Sequence, residues 1–271
     1  MRLLYCGDVV GRAGRRLVCD RMPQLRRHLE LDFVIANGEN AAHGFGITPE
    51  ICRELYDAGV DVVTTGNHAW DRREIIDYIP SDDRLLRPLN YPEGTPGLGA
   101  NVYSVNGGAQ RVMVLQVMGR LFMDPLDDPF AAAERALRNH RLGYSVDCIV
   151  ADIHAEATSE KMAMGHALDG RVSLVAGTHS HVPTADAHIL RGGTGYITDI
   201  GMCGDYDSVI GMEKTTAIAR FVSKLPTARL EPAEGDATLC AVYLETDEET
   251  GLARRVAPLR IGGRLAPQWP I

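Results

Sequence analysis

FVIANGEN, residues 33–40, is a run of four apolar residues that breaks directly into Asn37-Gly38-Glu39-Asn40. Such a run bounded by turn residues reads as a buried strand with polar groups at its end. The same pattern recurs along the chain. Leu3 to Cys6 ends in Gly7-Asp8, and Val60 to Val63 ends in Thr65-Gly66-Asn67-His68. Cys148 to Ala151 ends in Asp152-Ile153-His154, and Val172 to Ala176 ends in Gly177-Thr178-His179-Ser180-His181. Helical patterns alternate with these runs. Arg15 to Leu29 carries Leu17, Val18, Met22, Leu25 and Leu29 near a 3.6-residue period. Thr48-Pro49 reads as an N-cap with proline at the first helical position, Ile51, Leu55 and Ala58 as the buried stripe, and Gly59 as the stop. Pro129 to Leu142 and Glu160 to Leu168 read as further helices.

Strands alternating with helices place the chain in the α/β class. Residues 80–108, rich in Pro, Gly and Asn, read as loops with one short strand near Val102 to Val105, and Val112 to Val117 is another strand. A strand after Tyr196 ends in Thr198-Asp199, and Thr238 to Leu244 with Arg254 to Ile261 alternates like an antiparallel hairpin. With no repeat, low-complexity tract or linker, residues 1–271 are expected to form one domain.

A net charge of −8 argues against an extended nucleic-acid grip, which needs a basic face, but leaves room for a small phosphodiester held by metal ions. The six cysteines contain no CxxC pair and are expected as free thiols in a reducing compartment. MRLLYCGDVV lacks the long apolar stretch of a signal peptide, and no run approaches a membrane span, so a cytoplasmic location with no membrane association is expected.

In an open α/β sheet, ligands bind beyond the carboxyl ends of the strands. Asp8, Glu39 with Asn40, Asn67 with His68, His154, and His179 with His181 all occupy such ends. One aspartate after a strand is usually a helix cap and one histidine usually a solvated side chain, but caps do not explain five such blocks in succession. Carboxylates and imidazoles without cysteine suit Mn, Fe or Zn. His179 and His181 would point to opposite faces of an extended strand, whereas a tight turn would let each address a different metal. A glutamate can bridge two cations, and metals ~3.5–4 Å apart can hold a hydroxide between them for in-line attack at phosphorus.

GDVVG at 7–11, NGEN at 37–40, GNH at 66–68, His154 and GTHSH at 177–181 resemble the successive blocks of the calcineurin-like metallophosphoesterase superfamily. GDVVGRAGR, NGENAAHGFG, GNHAWD, RPLNYP, GTHSHVPTAD and TDIGMCG are similar in order and spacing to its bacterial 2′,3′-cyclic-nucleotide 2′-phosphodiesterase subfamily. The likeness covers nearly the whole chain and implies a metallophosphoesterase-type β-sandwich flanked by helices. It implies one metal held by Asp8, Glu39, Asn40 and His181, and a second held by Glu39, Asn67, His154 and His179. Fe or Mn is the implied metal. The resemblance also implies a 2′,3′-cyclic nucleotide as substrate and a 3′-nucleotide as product, and it suggests a homo-oligomer. A metal-bridging hydroxide is the expected nucleophile. His68, which follows a metal-binding asparagine and can donate a proton at neutral pH, is the candidate general acid, favoured over a structural role bonded to backbone. Two departures from the wider superfamily stand out. Val10 occupies the histidine place of its Asp-x-His block, and Glu39 replaces its bridging aspartate. Both departures resemble the subfamily, in which the asparagine after the glutamate joins the first metal.

Two rival functions use the same residues, a phosphomonoesterase or nucleotidase and a regulatory protein that binds a nucleotide or partner. Asp71 reads equally as an orienter of His68 or as a helix N-cap, and His43 equally as a pocket residue or a surface one. Glu156 and Asp186 lie near the ligand histidines as candidate orienters, Asp199 is ambiguous, and Gly7, Gly11 and Gly14 suggest tight turning. His28, His140, His166 and His188 are not expected as ligands.

Overall fold

The computed structural model describes residues 1–223 and 228–270. Along the chain come β1 (Arg2–Cys6), β2 (Asp8–Val9), α1 (Gly11–His28), β3 (Phe33–Asn37), α2 (Pro49–Asp57), β4 (Val62–Thr64), α3 (Glu74–Tyr78) and β5 (Leu85–Leu86). They are followed by β6 (Ala100–Val105), β7 (Gln110–Met118), α4 (Pro129–Leu137), β8 (Cys148–His154), α5 (Thr158–Ala167) and β9 (Leu174–Thr178). The remainder is β10 (His188–Ile189), β11 (Gly195–Ile197), β12 (Met202–Asp205), α6 (Lys214–Val222), β13 (Ala237–Thr246) and β14 (Ala253–Ile261).

These strands build two sheets. One runs β2-β12-β13-β1-β3-β4-β5 with β14 added on β13, and the other runs β10-β11-β9-β8-β7-β6. The central strands are apolar on both faces because each sheet is covered on both. Leu3, Tyr5, Phe33, Ile35 and Val62 of the first sheet meet Val112, Val114, Cys148, Val150 and Leu174 of the second in one core between the sheets. The opposite face of the first sheet, with Leu4, Cys6, Val34 and Ala36, packs on Val18, Met22 and Leu25 of α1 and on Ile51 and Leu55 of α2. The second sheet turns Met113, Leu115, Ile149 and Val175 toward Ala132, Ala133 and Leu137 of α4 and Met164 of α5. A helix–sheet–sheet–helix sandwich results, as the sequence resemblance implies. No helix among the described residues is long and apolar enough to cross a membrane, and all six cysteines are free.

Parallel pairing of β1 with β3, of β3 with β4, and of β7, β8 and β9 with one another sends the carboxyl ends of strands from both sheets to one edge of the sandwich. The hairpin of β13 and β14 forms as its alternation predicts, and β13 lies antiparallel between β1 and β12. The Thr48 hydroxyl caps α2 by accepting from Ile51 N at 3.3 Å. Cys52, together with Ile51 and Leu55, makes the buried stripe of that helix, whereas Ala58 is only half buried. Gly59, at φ 105°, ends it.

Several boundaries differ from the sequence reading. Helix α1 begins at Gly11 and not at Arg15. Gly14 lies in its first turn because a Cβ there would sit 1.9 Å from the Cys203 carbonyl oxygen, so it permits close helix–strand packing and does not make a turn. Helix α4 stops at Leu137, and Leu142 instead bridges to Val146. Asp8, read as a residue just past a strand, belongs to the two-residue strand β2, paired with Met202.

Leu55 is fully buried, whereas Thr48 contributes one capping bond. Leu55→Ala is expected to cost about 3 kcal/mol and Thr48→Ala about 1 kcal/mol. Denaturant unfolding of the two variants measures both, and a larger loss for Thr48→Ala would contradict this packing.

Candidate metal centre

All seven predicted ligands meet at the shared edge of the two sheets. His154 Nε2 lies 3.1 Å from Glu39 Oε1, 3.0 Å from Asn67 Oδ1 and 3.2 Å from His179 Nδ1. His181 Nε2 lies 3.2 Å from Asn40 Oδ1 and 4.0 Å from Asp8 Oδ1. Among the described residues, two groups of side chains could each hold an ion, Glu39 with His154 and His179, and Asp8 with Glu39 and His181; within each the ligand atoms lie within 4.8 Å of one another. Glu39 is common to both. Asp8, Glu39, Asn40, His154 and His181 are buried.

The outer hydrogen bonds decide what faces the centre. His181 Nδ1 donates to the Ile210 carbonyl at 2.7 Å, so in the neutral ring Nε2 carries a lone pair. Asn40 Nδ2 donates to the Gly44 carbonyl at 3.0 Å, which turns Oδ1 inward. The Thr178 hydroxyl donates to Asp152 Oδ1 at 2.8 Å and accepts from His154 Nδ1 at 2.9 Å, again leaving Nε2 bare. His179 Nε2 is 3.2 Å from Glu156 Oε2, which leaves Nδ1 facing His154. Lone pairs of nitrogen and oxygen therefore point at one another at hydrogen-bond distance with too few protons between them. In a water-poor site that arrangement is costly unless positive charge fills it.

The titration shifts express the same demand. Burial pushes Asp8 up to about 7 against the pull of His181 and His154. Burial also opposes charge on Glu39 and on His154, but their mutual attraction outweighs it. Glu39 is held down to about 2 and His154 is lifted to about 9. Burial, with His154 beside it, lowers His179 to about 3. The cluster takes up positive charge at one histidine and refuses it at the next, as expected when one small volume is surrounded by acceptors. Divalent cations fit this donor set of carboxylates, amides and imidazoles.

The backbone is bent to achieve this. His179 and His181 adopt φ of 94° and 65°, in the left-handed region that non-glycine residues rarely occupy. The turn makes the two rings address different groups, where an extended strand would have sent them to opposite faces. Gly66 has to be glycine, since a Cβ there would lie 2.2 Å from Glu39 Oε2 and 2.3 Å from His154 Nε2. Val10 is buried, and Gly204 and Gly211 pack closely against its side chain.

His68 sits at the rim. Its backbone N–H donates to Glu39 Oε2 at 3.2 Å, and its Nδ1 lies 2.9 Å from Asp71 Oδ2. Its ring meets Phe45 edge-on at 5.1 Å. Asp71 is thus an orienting partner and not a cap, because α3 starts only at Glu74 and has no side-chain cap. Glu156 orients His179, whereas Asp186 bonds Thr198. His43 is exposed, as are His166 and His188. His28 stacks edge-on against Trp269.

Sequence reasoning missed the layer beneath the ligands. Asp152 is fully buried and accepts from Tyr5 Oη at 2.5 Å, Gln116 Nε2 at 2.7 Å and Thr178 Oγ1. Tyr5 reaches it from the opposite sheet, so this carboxylate joins the two sheets under His154. Burial raises its pKa while these donors stabilise its ionised form. The Tyr91 hydroxyl, donating to the Gly66 carbonyl at 3.0 Å, steadies the loop that carries Asn67. A signal was present in CIVADIH and VMVLQVM, where one polar residue interrupts a strand that is otherwise apolar on both faces.

The YmdB-like protein family matches residues 4–259 of the chain. A Bacillus subtilis (strain 168) protein named 2′,3′-cyclic-nucleotide 2′-phosphodiesterase is 46% identical over 263 residues, covering 96% of this chain and 97% of that protein. A crystal structure described as a novel phosphatase from Mycoplasma pneumoniae is similar with a TM-score of 0.89 and 32% identity, covering 97% of this chain and 93% of that one. A calcineurin-like phosphoesterase from Bacillus subtilis, at 10% identity and a TM-score of 0.53, covers 96% of this chain and 90% of that one and shares the fold.

Thr178→Val deletes the hydroxyl that links His154 to Asp152 while keeping its volume. Divalent-ion affinity, measured by competition with a fluorescent chelator, is expected to fall roughly 10–100-fold. Unchanged affinity would show that the Asp152-Thr178 layer does not set the His154 ring.

Proposed function

The chain belongs to the YmdB-like protein family, and from that membership and the cluster geometry we propose that it is a two-metal phosphodiesterase of 2′,3′-cyclic nucleotides. The observation that carries this reading is the convergence of bare imidazole nitrogens, amide oxygens and carboxylates on a volume with too few protons. Asp8, Glu39, Asn40 and His181 would hold one ion, and Glu39, Asn67, His154 and His179 the other. Bound there, two cations would supply positive charge for the phosphoryl oxygens and lower the pKa of a water molecule. Iron or manganese suits a set of hard and borderline donors without thiolate.

The chain's own residues do the remaining work. Asp71 occupies Nδ1 of His68 and fixes the ring, so that Nε2 is the atom offered to substrate. With Nδ1–H given to Asp71, His68 acts as the imidazolium: as a water oxygen bonds to phosphorus and the bond from phosphorus to the 2′ oxygen breaks, the Nε2 proton passes to that oxygen and the phosphate stays on the 3′ oxygen. His68 is only partly covered, with 28% of its side chain exposed, which suits a group that must meet substrate and then exchange its proton with water. The buried ligands beneath it exclude water from their outer hydrogen bonds. The acidic balance of the chain favours a small phosphodiester over a longer nucleic acid.

His68→Ala should lower turnover of 2′,3′-cyclic AMP by roughly 10²–10⁴-fold with metal content unchanged. Wild-type turnover in that variant would remove its role as acid. Glu39→Ala should remove metal and activity together in elemental analysis and a parallel assay, and full metal content would contradict a shared ligand. Chromatographic identification of the product separates this reading from a monoesterase, since a cyclic diester opened at the 2′ oxygen yields a 3′-nucleotide and no free phosphate.

A further inference from the structure

We propose that Lys161 and Asp199 form a buried positioning pair that holds the His179-Ser180-His181 turn so that its two imidazoles address separate ions. This rests on the metal reading above and concerns residues outside the seven ligands. Both side chains are 1% exposed, and Lys161 Nζ lies 2.6 Å from Asp199 Oδ2. That same oxygen accepts from Ser180 N at 3.1 Å and from Ser180 Oγ at 2.8 Å. The other carboxylate oxygen accepts from Gly201 N at 2.8 Å. Asp199 therefore grips the one residue that stands between the two histidines, through both its backbone and its side chain.

The remaining contacts make that grip rigid. Asp199 N donates to Thr184 Oγ1 at 2.9 Å, and Thr184 N donates back to the Asp199 carbonyl at 3.0 Å, so the chain beyond His181 is fastened to the same residue. Lys161 enters from α5, with its stem passing beneath β9. A Cβ at Gly177, two residues before His179, would lie 1.8 Å from the Thr198 carbonyl oxygen and 2.8 Å from Lys161 Cδ, so the glycine admits both the neighbouring strand and the lysine stem. Asp8 and Glu39, also buried, leave this edge rich in negative charge, and the Lys161 ammonium offsets the further carboxylate that holds the turn. A strained turn persists only where its surroundings over-determine it, and His179 and His181 are both in the left-handed region. Desolvating an ammonium and a carboxylate is a poor route to stability alone. A device that aims two rings explains their place beside this turn and not elsewhere in the core.

The test compares Ser180→Ala, Ser180→Thr and Asp199→Asn with the wild type, reading melting temperature, metal content by elemental analysis, and the rate of metal release into excess EDTA. Ser180→Ala should release metal about tenfold faster with little change in melting temperature, and Ser180→Thr, which keeps the hydroxyl, should return to within about twofold of wild type. Asp199→Asn should retain less than about half of the wild-type metal. Wild-type content and release rates in both Ser180→Ala and Asp199→Asn would overturn the proposal, as would release from Ser180→Thr as fast as from Ser180→Ala. If Asp199→Asn fails to fold, the two Ser180 variants decide. A wild-type protein that retains no metal would instead overturn the metal reading, and this inference with it.

Discussion

Acceptor atoms crowded into a buried volume without enough protons are the constraint on which the rest of this structure depends. His154 Nε2 has three acceptors within 3.2 Å, and His181 Nε2 faces an amide oxygen with a carboxylate behind it. In water each group would find a donor. At the meeting edge of two sheets they find one another, and only positive charge resolves the conflict. The two-sided apolar strands bring the groups together, and the core between the sheets keeps water away from their outer faces.

Holding such a cluster requires local departures from ordinary backbone and packing. His179, His181 and Ile210 all take positive φ, and the last is a β-branched residue for which that is rare. Ile210 offers the carbonyl that fixes the His181 tautomer, so its strain has an evident use. Costs of this kind run to about 1–3 kcal/mol each and are sustained by the surrounding structure. Here the support is a continuous layer: Tyr5 and Gln116 hold Asp152, Asp152 holds Thr178, and Thr178 holds His154.

Much of this was legible in the sequence. Strands apolar on both faces announced themselves as unbroken runs, and the Thr48-Pro49 start followed from local chemistry. The polar blocks at strand ends converge in space because parallel strands share a direction. Strands such as β2 and β12 were not legible, since two to four residues give no periodicity to read. Asp152, Thr178, Gln116 and Tyr5 lay hidden for another reason. Each is an ordinary residue whose meaning arises only when two sheets face one another. Asp199 stood at a strand end like the ligands, yet the structure places it behind the turn, bonded to Ser180 and Lys161.

The most direct measurement is anomalous diffraction from crystals of the metal-loaded protein, recorded at the iron and manganese edges. The account predicts two peaks, one among Asp8, Asn40 and His181 and the other among Asn67, His154 and His179, with Glu39 between them. A single peak away from Glu39, or none in protein loaded with either metal, would contradict it.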